Sequence, residues 1–238
     1  MARFLKSLGH NVVATDIDPS KTDEAAALKA LGIFVQIGGH DQDIFDGAQM
    51  IVPSPGIPVT IAYIKNAVAK GVAVQGELDI FTRHNTTPVV AVTGTNGKTT
   101  TTHLIADMLE ASGLSCFVGG NIGTPLVEYL MDERRCDLVV AEISSFQLDL
   151  AKDFKPKVAA LLNISQDHLD RYPDFNAYAD SKWSVFANQT HDDTAVINSS
   201  IQNFSGRISG FTRQVFEFSS ATTVSPGAHV DHERITVH

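Results

Sequence analysis

The stretch Val89–Thr100, with the sequence VVAVTGTNGKTT, decides the fold of this chain. Its first residues are apolar and mostly β-branched, which is typical of a buried strand in a parallel sheet. Gly94 and Gly97 bracket a short turn, and Lys98 and Thr99 open a helical pattern directly after it. A strand, a glycine turn and a helix N-terminus together gather amide N–H groups, an ammonium and a hydroxyl at one point. The stretch therefore predicts a site for the phosphates of a nucleoside triphosphate.

The turn is shorter than the common P-loop, which has a glycine five positions before the second glycine of the pattern. That position holds Val92 here, so the pattern is Gly94-x-x-Gly97-Lys98-Thr99. The same glycines would also suit a plain tight turn with positive φ. The strand before the turn and the helix after it favour the phosphate site. Lys98 is then expected to contact the β- and γ-phosphates, and Thr99 to bind Mg²⁺.

The composition narrows the range of ligands. The chain has 238 residues, a net charge of −9 and no basic block, which disfavours nucleic-acid binding. It contains no apolar run of about 18 residues, so no membrane span or signal peptide is expected. Cys116 and Cys136 lack CxxC spacing and indicate buried or incidental thiols in a reducing compartment. These features predict a cytoplasmic protein that binds small molecules.

The order of helix and strand patterns predicts two α/β units joined by a polar connector at 84–88. Residues 1–84 are expected to form a Rossmann-like domain. Because the chain opens inside a helical pattern, the first strand and the glycine-rich loop of that domain are expected to be missing. Residues 85–238 are expected to form the ATP-binding domain and to stop early, near His238. The predicted fold class is thus α/β, with an incomplete Rossmann-like domain followed by a P-loop-type domain.

Polar residues follow two further strand patterns. Glu142 closes the apolar run Leu138–Ala141, and Asn163 closes the run Val158–Leu162. An acid at a strand end is more often solvated or a helix cap. The predicted phosphate-binding turn Gly94–Thr99, called the phosphate turn below, makes a Mg²⁺ ligand the better interpretation of Glu142.

Three other features carry weaker signals. His168 lies between carboxylates after a buried strand, a setting that suits a metal or a charged substrate, although a lone histidine is usually structural. The glycine-rich segment Gly119–Gly123 is most simply a turn, and it would also let a ligand approach the backbone closely. Lys182 is a surface lysine by periodicity alone, although lysine can carry an unusual charge when it is desolvated.

Four motifs, taken together, resemble the Mur ligase family. They stand in the expected order at Gly94–Thr99, Gly120–Gly123, Glu142–Leu148 and Asn163–Tyr172. The resemblance extends over nearly all of Val13–Asn198. Members of this family are ATP-dependent amino-acid ligases of peptidoglycan precursor synthesis, and the resemblance implies a P-loop-type central ATPase domain of that family.

The segments Glu142–Leu148 and Asp167–Tyr172, with Ser54–Ile57 in the first unit, look most like the branch that adds D-glutamate. The resemblance to this branch implies UDP-N-acetylmuramoyl-L-alanine and D-glutamate as substrates, joined through an acyl phosphate. It also implies ATP and Mg²⁺ as cofactors, and a monomer is expected.

The resemblance further implies roles for particular residues. Lys98, His168 and Lys182 would be catalytic. One Mg²⁺ would be held by Thr99 and Glu142, and a second by His168 and a carbamate formed on Lys182. The residues implied for ATP are Gly94, Thr95, Asn96, Gly97, Lys98, Thr99 and Thr100, and those for the UDP substrate are Asp16, Ser54, Pro55, Gly56, Asn121, Ser144 and His168.

Two alternatives stay open at this point. A related ligase, for another amino acid or for folate polyglutamylation, would share the phosphate turn but should lack the segment Ser144–Leu148. A nucleotide-binding module without chemistry, kept as a fragment or a regulatory protein, is favoured by the missing ends of the pattern. Release of ADP with each candidate amino acid would separate the first alternative from the D-glutamate ligase.

We predict that the 238-residue chain alone has little or no ligase turnover. The family's opening strand and glycine-rich loop lie outside this sequence. So does its third domain, which closes over ATP and contacts the incoming amino acid. The measurement is D-glutamate-dependent ADP release by the purified chain, and robust release would contradict the prediction.

Overall fold

The computed structural model of the chain describes residues 1–132, 134–167, 170–231 and 234–238. Strands alternate with helices over most of this length, as the sequence predicts. The strands are β1 Val13–Asp16, β2 Phe34–Ile37, β3 Met50–Ile51, β4 Ala73–Val74, β5 Val89–Thr93, β6 Cys116–Gly120, β7 Leu138–Glu142, β8 Val158–Leu161, β9 Thr194–Asn198, β10 Gln214–Ser219, β11 Gly227–Asp231 and β12 Arg234–Val237.

The helices mostly follow the strands that they cover. They are α1 Ala2–Ser7, α2 Thr22–Ala30, α3 Gln42–Asp46, α4 Ala62–Ala69, α5 Glu77–His84, α6 Lys98–Ala111, α7 Leu126–Met131, α8 Ser145–Leu148, α9 Phe175–Trp183 and α10 Phe204–Ile208, with a 3₁₀ turn at Ser184–Phe186. None of the helices in the described part of the chain has the length and apolar character needed to cross a membrane.

The largest sheet has eight strands in the order β12-β11-β10-β9-β8-β5-β7-β6. All neighbouring strands run parallel except β11 and β12, which are antiparallel. Every residue of β5 is buried, because β5 lies between β7 and β8 with helices on both faces of the sheet. Parallel strands end at one edge, so the phosphate turn, Glu142 and Asn163 come together there.

Residues of the eight-stranded sheet and of the helices that cover it form the main core. Small buried side chains on the strands, such as Ala91, Ala141 and Ala159, leave room for aromatic side chains of the helices. Trp183 packs against Phe186, with ring centroids 5.7 Å apart. Burial of such apolar surface is the main favourable contribution to the stability of this half of the chain.

The first half of the chain forms two small sheets. Strands β1 and β2 pair in parallel, as do β3 and β4, but the two pairs belong to separate sheets. The alternation of patterns in the sequence predicts one parallel sheet here. The structure instead has two sheets, and no strand among the described residues hydrogen-bonds to both pairs. Each pair buries its own apolar cluster, one around Ile33 and the other around Ile64.

The two halves of the chain meet at a buried carboxylate. Asp79 of α5 is 1% exposed, and it accepts hydrogen bonds from the backbone N–H groups of Lys152 (2.8 and 3.0 Å) and Asp153 (2.9 Å). Just before α5, Gly76 packs so closely that an added Cβ would lie 2.8 Å from Cβ of Leu150. The segment 76–79 is therefore fixed against the segment 150–153.

We predict that Asp79→Asn destabilises the protein by about 2 kcal/mol, because an amide offers fewer lone pairs and directs an NH₂ group at N–H donors. The measurement is the free energy of unfolding in urea. Asp153→Asn is the matched control, since that side chain is 54% exposed and forms a surface ion pair with Arg83 at 3.2 Å. It should change the free energy by less than about 0.5 kcal/mol. Equal effects of the two substitutions would contradict the prediction.

Candidate functional site

The phosphate turn has the geometry of an anion site. Gly97 has φ +81° and is the N-cap of α6, and Gly94 has φ +151°. A Cβ on Gly94 would lie 3.1 Å from Cβ of Leu162, so the turn requires glycine there. The first hydrogen bond of the helix runs from the N–H of Thr101 to the oxygen of Gly97 (3.0 Å). The N–H groups of 98–100 precede it and point outward along the helix axis, where a phosphate would bind.

Asn163 fixes Thr95 and Asn96 of the turn by hydrogen bonds. Its backbone oxygen accepts from the N–H of Thr95 (3.0 Å), and its Oδ1 accepts from the N–H of Asn96 (2.9 Å). Its Nδ2 donates to the oxygen of Asn96 (2.9 Å). Of the amides implied by the resemblance, those of Thr95 and Asn96 are thus already bonded within the protein. The amides at the start of α6 are therefore the better candidates to bind a phosphate.

Lys98 lies folded along the turn. Its ammonium donates to the backbone oxygens of Gly94 (3.0 Å) and Thr95 (2.8 Å). The cation is thereby held within the turn, beside the first amides of α6. A phosphate at the helix end would meet both the ammonium and the amides.

Glu142 contacts two other residues singled out in the sequence. Its carboxylate is 1% exposed; it accepts from the hydroxyl of Thr99 (2.7 Å) and from Nδ2 of Asn121 (2.8 Å). A buried charge needs such partners, and the remaining lone pairs of the carboxylate are available to a cation. A hydroxyl and a carboxylate are hard oxygen ligands of the kind that Mg²⁺ prefers. Within the described ranges, no group of three or more His, Cys, Asp or Glu could hold a metal ion by itself.

Gly120 brings Asn121 within reach of Glu142. Gly120 ends strand β6 with φ +108°, and a Cβ there would lie 2.4 Å from the backbone oxygen of Glu142. The N–H of Asn121 donates to that same oxygen (2.8 Å). The glycine-rich segment is thus the end of a strand that approaches its neighbour closely, rather than only a turn.

Lys182 is buried in α9, so its assignment to the surface by periodicity is wrong. The side chain is 2% exposed, and its ammonium donates to the oxygen of Gly94 (2.9 Å) and lies 4.7 Å from the ring centroid of Tyr178. Burial and the nearby charge of Lys98 lower the pKa of Lys182 to about 8, against the opposing effect of two carboxylates. This places a readily deprotonated amine beside the phosphate turn.

Ser144 lies at the next loop along the same edge of the sheet. It is the N-cap of α8 and forms a capping box with Gln147: its hydroxyl accepts from the N–H of Gln147 (3.3 Å), and its own N–H donates to Oε1 of that residue (3.0 Å). Ser144 follows Glu142 by two residues and is only partly buried. The loop therefore presents a polar rim next to the phosphate turn.

Four of the residues predicted to bind the UDP substrate lie in the first half of the chain. Asp16 ends β1 and accepts from the N–H of Asp18 (2.8 Å). Ser54 to Gly56 form a turn closed by the N–H of Ile57 (2.8 Å to the oxygen of Ser54). Arg171, which the sequence did not single out, donates to the oxygen of Gly56 (3.1 Å) and lies 5.0 Å from the ring centroid of Phe146. This contact links the turn to the loops of the second half. His168 lies outside the described residues.

Comparison with protein families accounts for both halves. Residues 92–236 match the Mur ligase middle domain, and residues 1–76 match the Mur ligase MurD-like N-terminal domain. The chain belongs to the Mur ligase family. The α/β architecture predicted from the sequence is confirmed by the parallel sheet and by this family.

Two curated relatives are named UDP-N-acetylmuramoylalanine--D-glutamate ligase. The protein of Desulfosudis oleivorans is 44% identical over 238 residues, which is 99% of this chain and 52% of the relative. The protein of Desulfatibacillum aliphaticivorans is 49% identical over 201 residues, which is 83% of this chain and 44% of the relative. The chain thus spans about half the length of the curated relatives that it matches.

A solved structure has the same fold. The UDP-N-acetylmuramate:L-alanyl-gamma-D-glutamyl-meso-diaminopimelate ligase from Neisseria meningitides superposes with a TM-score of 0.61. It is 19% identical, and the match covers 95% of this chain and 78% of that one. At this identity the likeness concerns the fold alone.

We predict that Lys182 titrates near pH 8 in the folded protein. Because its folded pKa lies below the ordinary value of 10.5, the burial penalty is fully present below pH 8 and is lost as the pH rises to 10.5. Protein stability should rise over that interval. The measurement is a ¹³C NMR titration of lysine side chains in CO₂-free buffer.

Two variants assign the signal. Lys182→Met should remove it, and Lys98→Met should move its midpoint to higher pH, because the neighbouring charge is gone. Lys29→Met, at an exposed position on α2, should leave it unchanged. The prediction is contradicted if all lysine signals titrate above about pH 10.

Proposed function

We propose that this chain is the UDP-substrate and ATP-binding portion of a cytoplasmic, monomeric ligase that joins D-glutamate to UDP-N-acetylmuramoyl-L-alanine in peptidoglycan precursor synthesis. Residues 1–84 form the UDP-substrate domain in this proposal, and 85–238 the ATP-binding domain. The observation that carries the proposal is the contact of Thr99 with Glu142 (2.7 Å) beside Lys98 and the N-terminus of α6. The names of the curated relatives support the choice of D-glutamate.

The nucleotide is proposed to bind along the turn from Gly94 to Thr100. The β- and γ-phosphates would accept from the first amides of α6 and from the ammonium of Lys98, which would leave the backbone oxygens that it now contacts. Thr99 and Glu142 would hold Mg²⁺, since their oxygens already lie side by side and Glu142 keeps free lone pairs. When bound, Mg²⁺ neutralises the charge of the phosphates and fixes their orientation.

The proposed reaction has two steps. The carboxylate of UDP-N-acetylmuramoyl-L-alanine attacks the γ-phosphorus, which forms an acyl phosphate and releases ADP. The amine of D-glutamate then attacks the acyl carbon, and phosphate leaves from a tetrahedral intermediate. The first step brings an anion to a polyanion. Lys98 and the positive end of α6 therefore provide the main help from this chain, by lowering that repulsion and by aligning the groups.

Lys182 and His168 are proposed as the second metal site. A lysine must be neutral to react with CO₂ and form a carbamate, and the buried amine of Lys182 has a pKa lowered to about 8. The carbamate would convert a cation beside Gly94 into an anion with oxygen ligands. His168 follows Asp167 in the sequence and would supply a nitrogen ligand.

The UDP substrate is proposed to lie across the two halves. Asn121 and Ser144 stand at the rim of the second half, next to Glu142. In the first half, the proposed contacts are Asp16 and the turn Ser54, Pro55, Gly56. The bond from Arg171 to Gly56 supports one continuous path between these loops, because it ties the turn to the segment that follows β8.

We predict that the chain binds ADP in a Mg²⁺-dependent manner. Lys98→Ala should weaken binding about tenfold or more, because it removes a charge-assisted contact to phosphate. Glu142→Gln should abolish most of the gain in affinity that Mg²⁺ provides. The measurement is isothermal titration calorimetry with ADP, with and without Mg²⁺.

The matched control for Lys98→Ala is Lys29→Ala on the exposed side of α2. It should bind ADP as the parent chain does. Thermal melting of each variant separates loss of the site from loss of the fold. A parent chain that binds no ADP, or a Lys98→Ala variant with unchanged affinity, would refute the proposed nucleotide site.

A further inference from the structure

One face of α9 contacts the phosphate turn through two side chains. Tyr178 and Lys182 are four residues apart and therefore lie on the same side of the helix. The hydroxyl of Tyr178 is 3.1 Å from Oγ1 of Thr95, and the ammonium of Lys182 donates to the oxygen of Gly94 (2.9 Å). The two side chains are 1% and 2% exposed. Two successive residues of the turn are thus held by one helix.

The hydroxyl of Thr95 is held from two directions. Besides the contact with Tyr178, its Oγ1 accepts from the N–H of Ser165 (3.0 Å) and lies 3.3 Å from the oxygen of that residue. A threonine hydroxyl has one proton and two lone pairs, so these contacts account for its hydrogen-bonding capacity. They confine the side chain of Thr95, and with it the adjoining peptide, to one orientation.

That peptide in turn holds Lys98. The backbone oxygen of Thr95 accepts from the ammonium of Lys98 at 2.8 Å, which is shorter than the 3.0 Å bond to Gly94. Burial raises the pKa of Tyr178, so its hydroxyl keeps its proton at neutral pH and can donate. A chain of contacts therefore runs from Tyr178 through Thr95 to the cation of the phosphate turn.

We infer that Tyr178 is a positioning residue for the phosphate turn: its hydroxyl orients Thr95, and through Thr95 it sets where Lys98 meets the nucleotide. The inference rests on the proposed function, because it concerns the affinity of the same site for ADP. The ring of Tyr178 makes a separate cation–π contact with Lys182, whose ammonium lies 4.7 Å from the ring centroid. Removal of the hydroxyl alone isolates the first role.

The test is a double-mutant cycle on Mg²⁺-dependent ADP binding. Tyr178→Phe removes the hydroxyl and keeps the ring, and it should weaken binding about threefold to tenfold, the range expected for one hydrogen bond. Thr95→Val should weaken it by a similar factor. The double variant should bind no more weakly than the weaker single variant, because both substitutions break one chain of contacts. Thr95→Ser, which keeps the hydroxyl, should lose less affinity for ADP than Thr95→Val does.

Tyr172→Phe is the matched control. It removes the hydroxyl of another buried tyrosine, whose ring centroid is 5.3 Å from that of Tyr178 and whose hydroxyl donates to Asp149 (2.8 Å). It should lower the melting temperature without changing ADP affinity. A Tyr178→Phe variant that melts earlier but binds ADP normally overturns the inference, and so do additive effects in the cycle. If Tyr178→Phe does not fold, unchanged affinity in Thr95→Val overturns it. A parent chain that binds no ADP overturns the proposed nucleotide site itself.

Discussion

The site depends on one buried carbonyl oxygen, that of Gly94, which accepts hydrogen bonds from two ammonium groups. Lys98 donates to it at 3.0 Å and Lys182 at 2.9 Å, so two cations converge on one neutral acceptor. Burial lowers the pKa of Lys182, and repulsion by the charge of Lys98 lowers it further. An anion is the ligand that relieves such a concentration of positive charge. A chain that is acidic as a whole thus has a local positive centre where its central strand ends.

The parallel sheet explains why other polar residues lie next to this positive centre. Neighbouring parallel strands end at the same edge, so β5 delivers the phosphate turn, β7 delivers Glu142 and β8 leads directly to Asn163. None of these residues needs a long side chain to reach the turn. The backbone of the sheet fixes their spacing, and the short polar side chains then complete the contacts.

The sequence predicts the strand, turn and helix around Gly94 well, because all three signals are local and agree with one another. Glu142 could be predicted for the same reason, since it directly follows an apolar run. The sequence places Asn163 at a strand end and in one of the four motifs, but it does not reveal the bonds to the turn, because they join residues 67 positions apart. The contact of Arg171 with Gly56 could not be predicted from the sequence, because the two residues are 115 positions apart. The burial of Lys182 depends on what packs against α9, and the residues of that helix alone do not reveal it.

The close approach at Gly120 has a consequence for how this edge of the sheet can vary. Because a Cβ at this position would lie 2.4 Å from the backbone oxygen of Glu142, a larger residue would have to move strand β6 away from β7. Such a movement would also carry the amide of Asn121 away from the carboxylate. The contact between Asn121 and the carboxylate of Glu142 therefore depends on the absence of a side chain at Gly120, so that a purely apolar substitution there would disturb it.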